Sequence, residues 1–373
     1  MASKVYFTDL RATGNKGLLD KLEKLMERAG FDTLISPGDL VAIKIHFGEK
    51  GNLAYIRPPY VRRVVDRVKE LGGKPFITDA NTLYRGSRSN AVDHLETAIM
   101  NGFDYAVVGA PLLIADGLTG RDYIKVKVEG RHFKEVNIGA AAYHADAMIV
   151  MTHFKCHELT GIGGAIKNVG MGLGARSGKQ QMHSDFQPKV KEDKCTGCGR
   201  CAEWCPTGAI SMVERGEGEK PRAVIDYEKC YGCGECVISC LFGSINISWK
   251  TTPQVIQEKM AEYALGAVKN KQGKTGYLSF VVNVSPECDC YGFNDVPITR
   301  DVGIFASFDP VALDLACAEA VNRLPGAAGS VLEGVAEGVD KFSAVHPGID
   351  WRYQLTYGQE IGLGSMEYQL VKV

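Results

Sequence analysis

From residue 1 to about 150, short apolar runs alternate with segments whose apolar residues recur at helical spacing. Val5 to Thr8 reads as a strand. Gly17 to Ala29 places Leu18, Leu19, Leu22, Leu25 and Met26 on one helical face, and Gly30 stops that helix. Val41 to Phe47 is the next strand; Tyr60 to Leu71 is a helix turning Val61, Val64, Val65 and Val68 inward, ended by Gly72 and Gly73. A strand follows at Pro75 to Thr78, a helix at Asn90 to Asn101, and strands at Tyr105 to Val108 and Ala147 to Met151. The strand runs are nearly unbroken in hydrophobicity, as expected of strands covered on both faces. Strand and helix in alternation, joined by short Gly-rich connections, predict an α/β domain: a mostly parallel sheet in a three-layer arrangement.

Near Gln187 the chain turns abruptly Lys-rich and Cys-rich, and near Trp249 it turns back. Thr251, Thr252 and Pro253 then mark the start of a helix reaching about Val268, followed by a strand at Leu278 to Val284. Asp309-Pro310 opens another helix through Ala320, and from about Asn322 the sequence is Gly-rich and weakly periodic. The simplest organisation is an α/β domain in two parts, residues 1–186 and 251–373, interrupted by an α+β ferredoxin-like module at 187–250.

Composition narrows the function classes. Forty-three Lys and Arg balance forty-four Asp and Glu, so no net field recruits nucleic acid or an anionic membrane. The longest apolar stretches, Ala145 to Thr152 and Tyr277 to Val284, fall short of the roughly 20 residues a membrane span needs. The first residues read as a strand rather than an export signal, so a cytoplasmic location is expected. Twelve cysteines in such a chain argue for metal binding rather than disulfides.

Eight of them carry the strongest signal. Cys195-x-x-Cys198-x-x-Cys201-x-x-x-Cys205-Pro206 is followed by Cys230-x-x-Cys233-x-x-Cys236-x-x-x-Cys240, the doubled spacing of bacterial ferredoxins, with Leu241 where a second proline often sits. Glycines in the short intervals let the loop wrap a cubane while backbone N–H groups aim at its sulfurs. Crossed ligation assigns Cys195, Cys198, Cys201 and Cys240 to one [4Fe–4S] cluster, and Cys230, Cys233, Cys236 and Cys205 to the other. A pair of zinc sites is the competing reading; four ligands per run, Pro206 and the internal symmetry stand against it.

Outside the module, Cys288-Asp289-Cys290 follows a strand, and residues i and i+2 of an extended chain point the same way. The two thiols could face one metal (iron or zinc), form a reactive redox pair, or pack inertly. His153, Cys156 and His157 also follow an apolar strand and share a face if they form a helical turn, which would add ligands to that additional metal site. Cys317 reads as core. The run from Gly161 to Gly174 offers a backbone cradle for an anion, with Lys167, Arg176 and Lys179 supplying charge, although its glycines would equally serve close packing. Lys44 and His46 share one strand face, and Asp79-Ala80-Asn81 ends the next strand, so Lys44, His46 and Lys167 are the candidate catalytic residues, able to hold a small anionic substrate. His183-Ser184-Asp185 stands where it could link this cleft to the clusters.

At Lys44-Ile-His-Phe-Gly-Glu49, Thr78-Asp-Ala-Asn-Thr82 with Gly86-Ser-Arg-Ser89, His153 through Gly172, Cys288-Asp-Cys290 and Asp309-Pro-Val-Ala312, the chain resembles the family called domain of unknown function 362, in its version with a ferredoxin insertion. The resemblance implies an iron–sulfur protein of anaerobic metabolism and marks His153, Cys288 and Cys290 as special; Cys156 stands where that pattern often has Gly. The expected function is that of a cytoplasmic redox protein whose two clusters transfer electrons to a metal or substrate site in the α/β domain, as in an oxidoreductase served by a redox partner protein. Two other readings stay open: an electron carrier or adaptor that catalyses nothing, and a sensor or assembly factor that takes or delivers metal.

Overall fold

The computed structural model describes residues 2–84, 86–183, 188–205, 207–216, 218–230, 235–246 and 252–373. Eight strands in this part of the chain build the central sheet: β1 (Ser3–Asp9), β2 (Leu40–Lys44), β3 (Lys74–Asp79), β4 (Leu112–Ile114), β5 (Ala147–His153), β6 (Thr275–Val281), β7 (Gly303–Ser307) and β8 (Tyr368–Lys372). Their order is β8-β1-β7-β6-β5-β2-β3-β4. Neighbours pair in parallel except around β7, which runs antiparallel to both β1 and β6.

Alternation along each strand divides the core between the two faces of the sheet. Val41, Ile43, Ile149, Met151, Leu278 and Phe280 pack with Leu22, Leu25 and Met26 of the Leu18–Ala29 helix and the buried valines of Pro58–Glu70. Ala42, Met148, Val150, Tyr277 and Val281 face the Ala165–Leu173, Pro253–Val268 and Pro310–Asn322 helices on the other side. The result is the predicted three-layer α/β arrangement around a mostly parallel sheet. At about 1.5–3 kcal/mol for each fully buried aliphatic side chain, these two faces are the main source of stability.

Several elements differ from the sequence expectation. Tyr105–Val108 is a single helical turn, because Asp104 caps it by accepting the Val107 N–H (3.0 Å); the strand comes after it, as β4. β6 begins earlier than expected and stops before Asn283, whose φ of 52° breaks the extended run. The weakly periodic end of the chain still supplies a helix, Tyr353–Glu360, and the edge strand β8, which pairs in parallel with β1.

Between residues 188 and 246 a separate small core forms around Cys201, Ile210, Ala223, Ile225, Cys236 and Ile245. Each cysteine of the first run recurs 35 residues on in the second (Cys195 and Cys230, Cys205 and Cys240). The pairing keeps that offset: Val190 opposes Ile245 and Ile225 opposes Ile210, so the two halves exchange strands about a pseudo-two-fold. The segment docks on the α/β part through its Glu235–Ser239 helix, which packs on Arg176–His183, and through the Arg121 guanidinium, 3.8 Å above the Trp204 ring. The expected boundaries at 186/187 and 250/251 lie outside the described residues.

The glycine-rich run is a packing device rather than an anion cradle. Asp314, fully buried, accepts the Ala165 and Ile166 N–H groups (2.7 and 3.0 Å), so a carboxylate of the chain itself already fills the helix N-terminus where an anion would bind. A Cβ on Gly164 would fall 2.3 Å from Asp314, and one on Gly170 would fall 2.2 Å from the Met260 carbonyl oxygen. Close helix approach therefore selects glycine at both positions. Burial raises the Asp314 carboxyl to about 7.

Two outcomes are expected. Gly170→Ala lowers the thermal midpoint, since overpacking against backbone costs about 1–3 kcal/mol against the ~1 kcal/mol that alanine gains in a helix; Gly14→Ala, with nothing within 4 Å of its Cβ, serves as the neutral control. Asp314 holds its proton longer when folded than when unfolded, so its stabilising contribution is complete below the ordinary value of 3.8 and is lost as pH rises through about 7. Thermal melts across that window should show a smaller decline for Asp314→Asn than for the wild type, and an unchanged slope would remove Asp314 from the account.

Candidate active site at the strand ends

Successive strands run outward from β2 to β3 and β4 on one side, and from β5 to β6 and β7 on the other. The carboxyl ends of β2 and β5 therefore flank a topological switch point, where an open parallel sheet leaves a crevice. A cleft of about 400 Å³ opens there, lined among others by His46, Arg88, Lys155, His157, Lys167 and Cys290.

Behind this cleft lies a sealed charge network. The Lys44 ammonium contacts Asp79 at 2.9 Å and donates to Asn168 Oδ1 (2.7 Å), both lysine and aspartate being buried. Arg88 approaches Asp79 at 3.5 Å, donates to Glu49 at 3.2 Å and to the Tyr84 hydroxyl at 2.7 Å. Burial would push the Asp79 carboxyl up, but Lys44, His46, His94 and Arg88 overcome it and hold it below the usual carboxylate range. Of the catalytic candidates, His46 and Lys167 reach the cleft, whereas Lys44 stands behind it, committed to Asp79 and Asn168. His46 Nδ1 accepts the Gly48 N–H (3.0 Å), and burial, with Arg88 nearby, pushes its pKa well down.

On the β5 side the expected helical turn does not form. β5 runs on to His153, and Lys155–His157 pairs with Gly161–Gly163 as a short antiparallel hairpin. Strand alternation then puts Lys155 and His157 on the cleft side and sends Cys156 into the core, fully buried among apolar residues. Cys156 is thus separated from the proposed metal group. His153 is separated as well: Nδ1 meets both Asp289 oxygens (2.9 and 3.0 Å) and Nε2 meets the Val282 and Asn283 carbonyls (2.9 and 3.2 Å), leaving no ring nitrogen for a metal. Asp289 also takes Lys155 Nζ at 2.8 Å.

With Asp289 held inward, its neighbours Cys288 and Cys290 face the other way, beside His157. Ligand atoms of these three lie within 4.8 Å of one another, a group that could hold a metal ion. Lys167 Nζ donates to Cys288 Sγ at 3.3 Å. The neighbouring Cys290 thiol, together with Lys167 and His157 and against burial, lowers the Cys288 thiol well below its usual range; the nearby Cys288 sulfur and burial push Cys290 well above it. The sequence reading missed Asp289 and Lys155 as the residues that orient this corner. Nothing in the sequence but the place of Asp289 between the two cysteines marked it, since a turn at Cys288–Tyr291 and not strand alternation sets these directions.

In the 188–246 segment, Cys195, Cys198, Cys201 and Cys240 line one small pocket with Met212 and Phe242. Cys205 Sγ accepts the Ala209 N–H (3.2 Å) and Cys240 Sγ accepts the Ser244 N–H (3.3 Å), the same bond in each half. Cys205, Cys230 and Cys236 pack into the shared small core. Cys233, Pro206, Ser184 and Asp185 lie outside the described residues. Among the described residues no helix is long and apolar enough to cross a membrane.

No curated protein matches the sequence. Among solved structures, the chain is similar to the lactate racemase apoprotein from Thermoanaerobacterium thermosaccharolyticum (12% identity, TM-score 0.40, 75% of this chain and 51% of that one). It is similar also to a protein from Thermotoga maritima (10% identity, TM-score 0.37, 74% and 51%). The chain spans about half the length of these two structures. The profile of the family described as "Domain of unknown function (DUF362)" matches residues 41–319. That match covers well over half of the sequence, and the chain belongs to the DUF362 family.

Proposed function

We propose that this chain is an iron–sulfur redox protein, in which a ferredoxin-type insertion holding two [4Fe–4S] clusters serves the cleft at the β2–β5 switch point. The observation that carries this reading is the pocket lined by Cys195, Cys198, Cys201 and Cys240, where the last cysteine of the second run joins the first three of the first run. Cys205, Cys230, Cys233 and Cys236 make the matching set. When bound, such clusters supply one-electron transfer at low potential. The thiolates that hold them are met by amide donors at Cys205 and Cys240, which favours an anionic sulfur.

The insertion is positioned for that service. The helix bearing Cys236 packs on Arg176–His183, and Lys179 and His183 of the latter helix line the cleft. Cys290 lines the same cavity, so electrons entering at the insertion have an acceptor there. Lys167 and Lys179 in the cleft wall favour a small anionic substrate. Reduced thiols and clusters of this kind belong in the cytoplasm, supplied by a redox partner protein.

Anaerobically purified protein should contain about eight irons and eight acid-labile sulfides per chain, with little zinc. Cys198→Ala should lose about half of both, since it removes a ligand from one cluster only. Zinc without sulfide would contradict the reading. Reduction of the clusters without turnover of any small-molecule acceptor would leave a carrier in place of an oxidoreductase.

A further inference from the structure

We infer that Cys288 and Cys290 form a redox couple at the head of the cleft, a dithiol that closes to a disulfide and so exchanges two electrons. Asp289, pinned by His153 and Lys155, turns both sulfurs to the same side. The Tyr291 N–H donates to the Cys288 carbonyl (3.1 Å), the bond of a tight turn that carries both cysteines on one loop. The two sulfurs lie within 4.8 Å of each other.

The charges around the pair fit its reduced form. Reduction balances as disulfide plus two electrons plus one proton, giving a Cys288 thiolate and a Cys290 thiol. The S–S bond breaks, Cys290 takes the proton, and the Lys167 ammonium at 3.3 Å compensates the single thiolate. The electrons come from a low-potential one-electron donor acting twice. This source rests on the iron–sulfur reading above; in the test it is replaced by a chemical dithiol.

His157 weighs for the couple and against a metal held by the same three residues. Its Nδ1 accepts the Leu159 N–H (3.1 Å), so the proton of the neutral ring sits on Nε2. A metal bound at Nε2 would move that proton to Nδ1 and leave the Leu159 amide without its acceptor, a loss of about 1–3 kcal/mol where the group is shielded from water. Cys290 lines the cleft and Cys288 does not, so a substrate meets the couple at Cys290, with the Cys288 thiolate behind it.

The test equilibrates anaerobic, cluster-loaded protein with graded mixtures of oxidised and reduced dithiothreitol, alkylates free thiols, and examines the peptide carrying Cys288 and Cys290 by mass spectrometry. The expected result is one transition between a peptide with no alkyl groups and one with two, with iron and zinc content equal at both ends. Lys167→Met should slow alkylation of Cys288 in the reduced protein about tenfold near neutral pH, because the thiolate loses its cation. Two alkyl groups at every ratio would overturn the couple, as would a metal ion lost in the Cys288→Ser, Cys290→Ser double variant. Iron and sulfide measured on the same samples separate the two readings: a disulfide transition without iron sinks the iron–sulfur source and keeps the couple, and iron without a transition does the reverse.

Discussion

The contact on which the cleft depends is the Asp289 carboxylate, sealed from solvent between His153 and Lys155. A buried carboxylate left unpaired would destabilise the fold by several kcal/mol. Burial alone would keep it protonated, but His153 and Lys155 hold it below the usual carboxylate range. This inward anchor holds the Cys288–Tyr291 turn, which the Tyr291 N–H closes on the Cys288 carbonyl (3.1 Å) and which leaves Cys288 and Cys290 beside His157. It also joins the end of β5 to the loop after β6, so the two walls of that corner are set by one carboxylate.

The same logic recurs across the switch point. Parallel strands leave their carboxyl ends open where the order reverses, and the chain closes the back of that crevice with paired charges rather than apolar side chains: Lys44 with Asp79, Arg88 with Glu49 and Asp79. Those groups are spent on one another. What remains facing the cleft is a smaller set, His46, His157, Lys167 and Cys290 among it, and chemistry is to be sought there. The glycine run that could have bound an anion instead brings the Ala165–Leu173 helix against Pro253–Val268, which is what carries Lys167 to Cys288.

Much of the fold was legible because apolar spacing is a direct imprint of burial. The helices at Leu18–Ala29, Pro58–Glu70 and Pro253–Val268 and the strands β2, β3 and β5 fall within a few residues of their expected places. β7 and β8 were not legible: β7 follows a long loop and opens on Gly303, and β8 is an edge strand half open to solvent, so neither shows a long apolar run. At the site, Cys288 and Cys290 come together as the spacing suggested, but on a turn rather than on an extended chain. The grouping of His153, Cys156 and His157 did not survive, because three residues at helical spacing say nothing of which face they share once the segment is a strand. The pairing of Cys240 with Cys195, Cys198 and Cys201 in one pocket was expected from the doubled motif.

The central claim, that iron–sulfur clusters sit in the insertion and the cleft cysteines work without metal, is tested most directly by anomalous diffraction at the iron and zinc absorption edges from crystals grown without oxygen. The account predicts two compact iron peaks, one against Cys195, Cys198, Cys201 and Cys240 and one against Cys205, Cys230, Cys233 and Cys236, with no peak between Cys288 and Cys290. Zinc peaks at the eight cysteines, or a metal peak held by His157, Cys288 and Cys290, would contradict it.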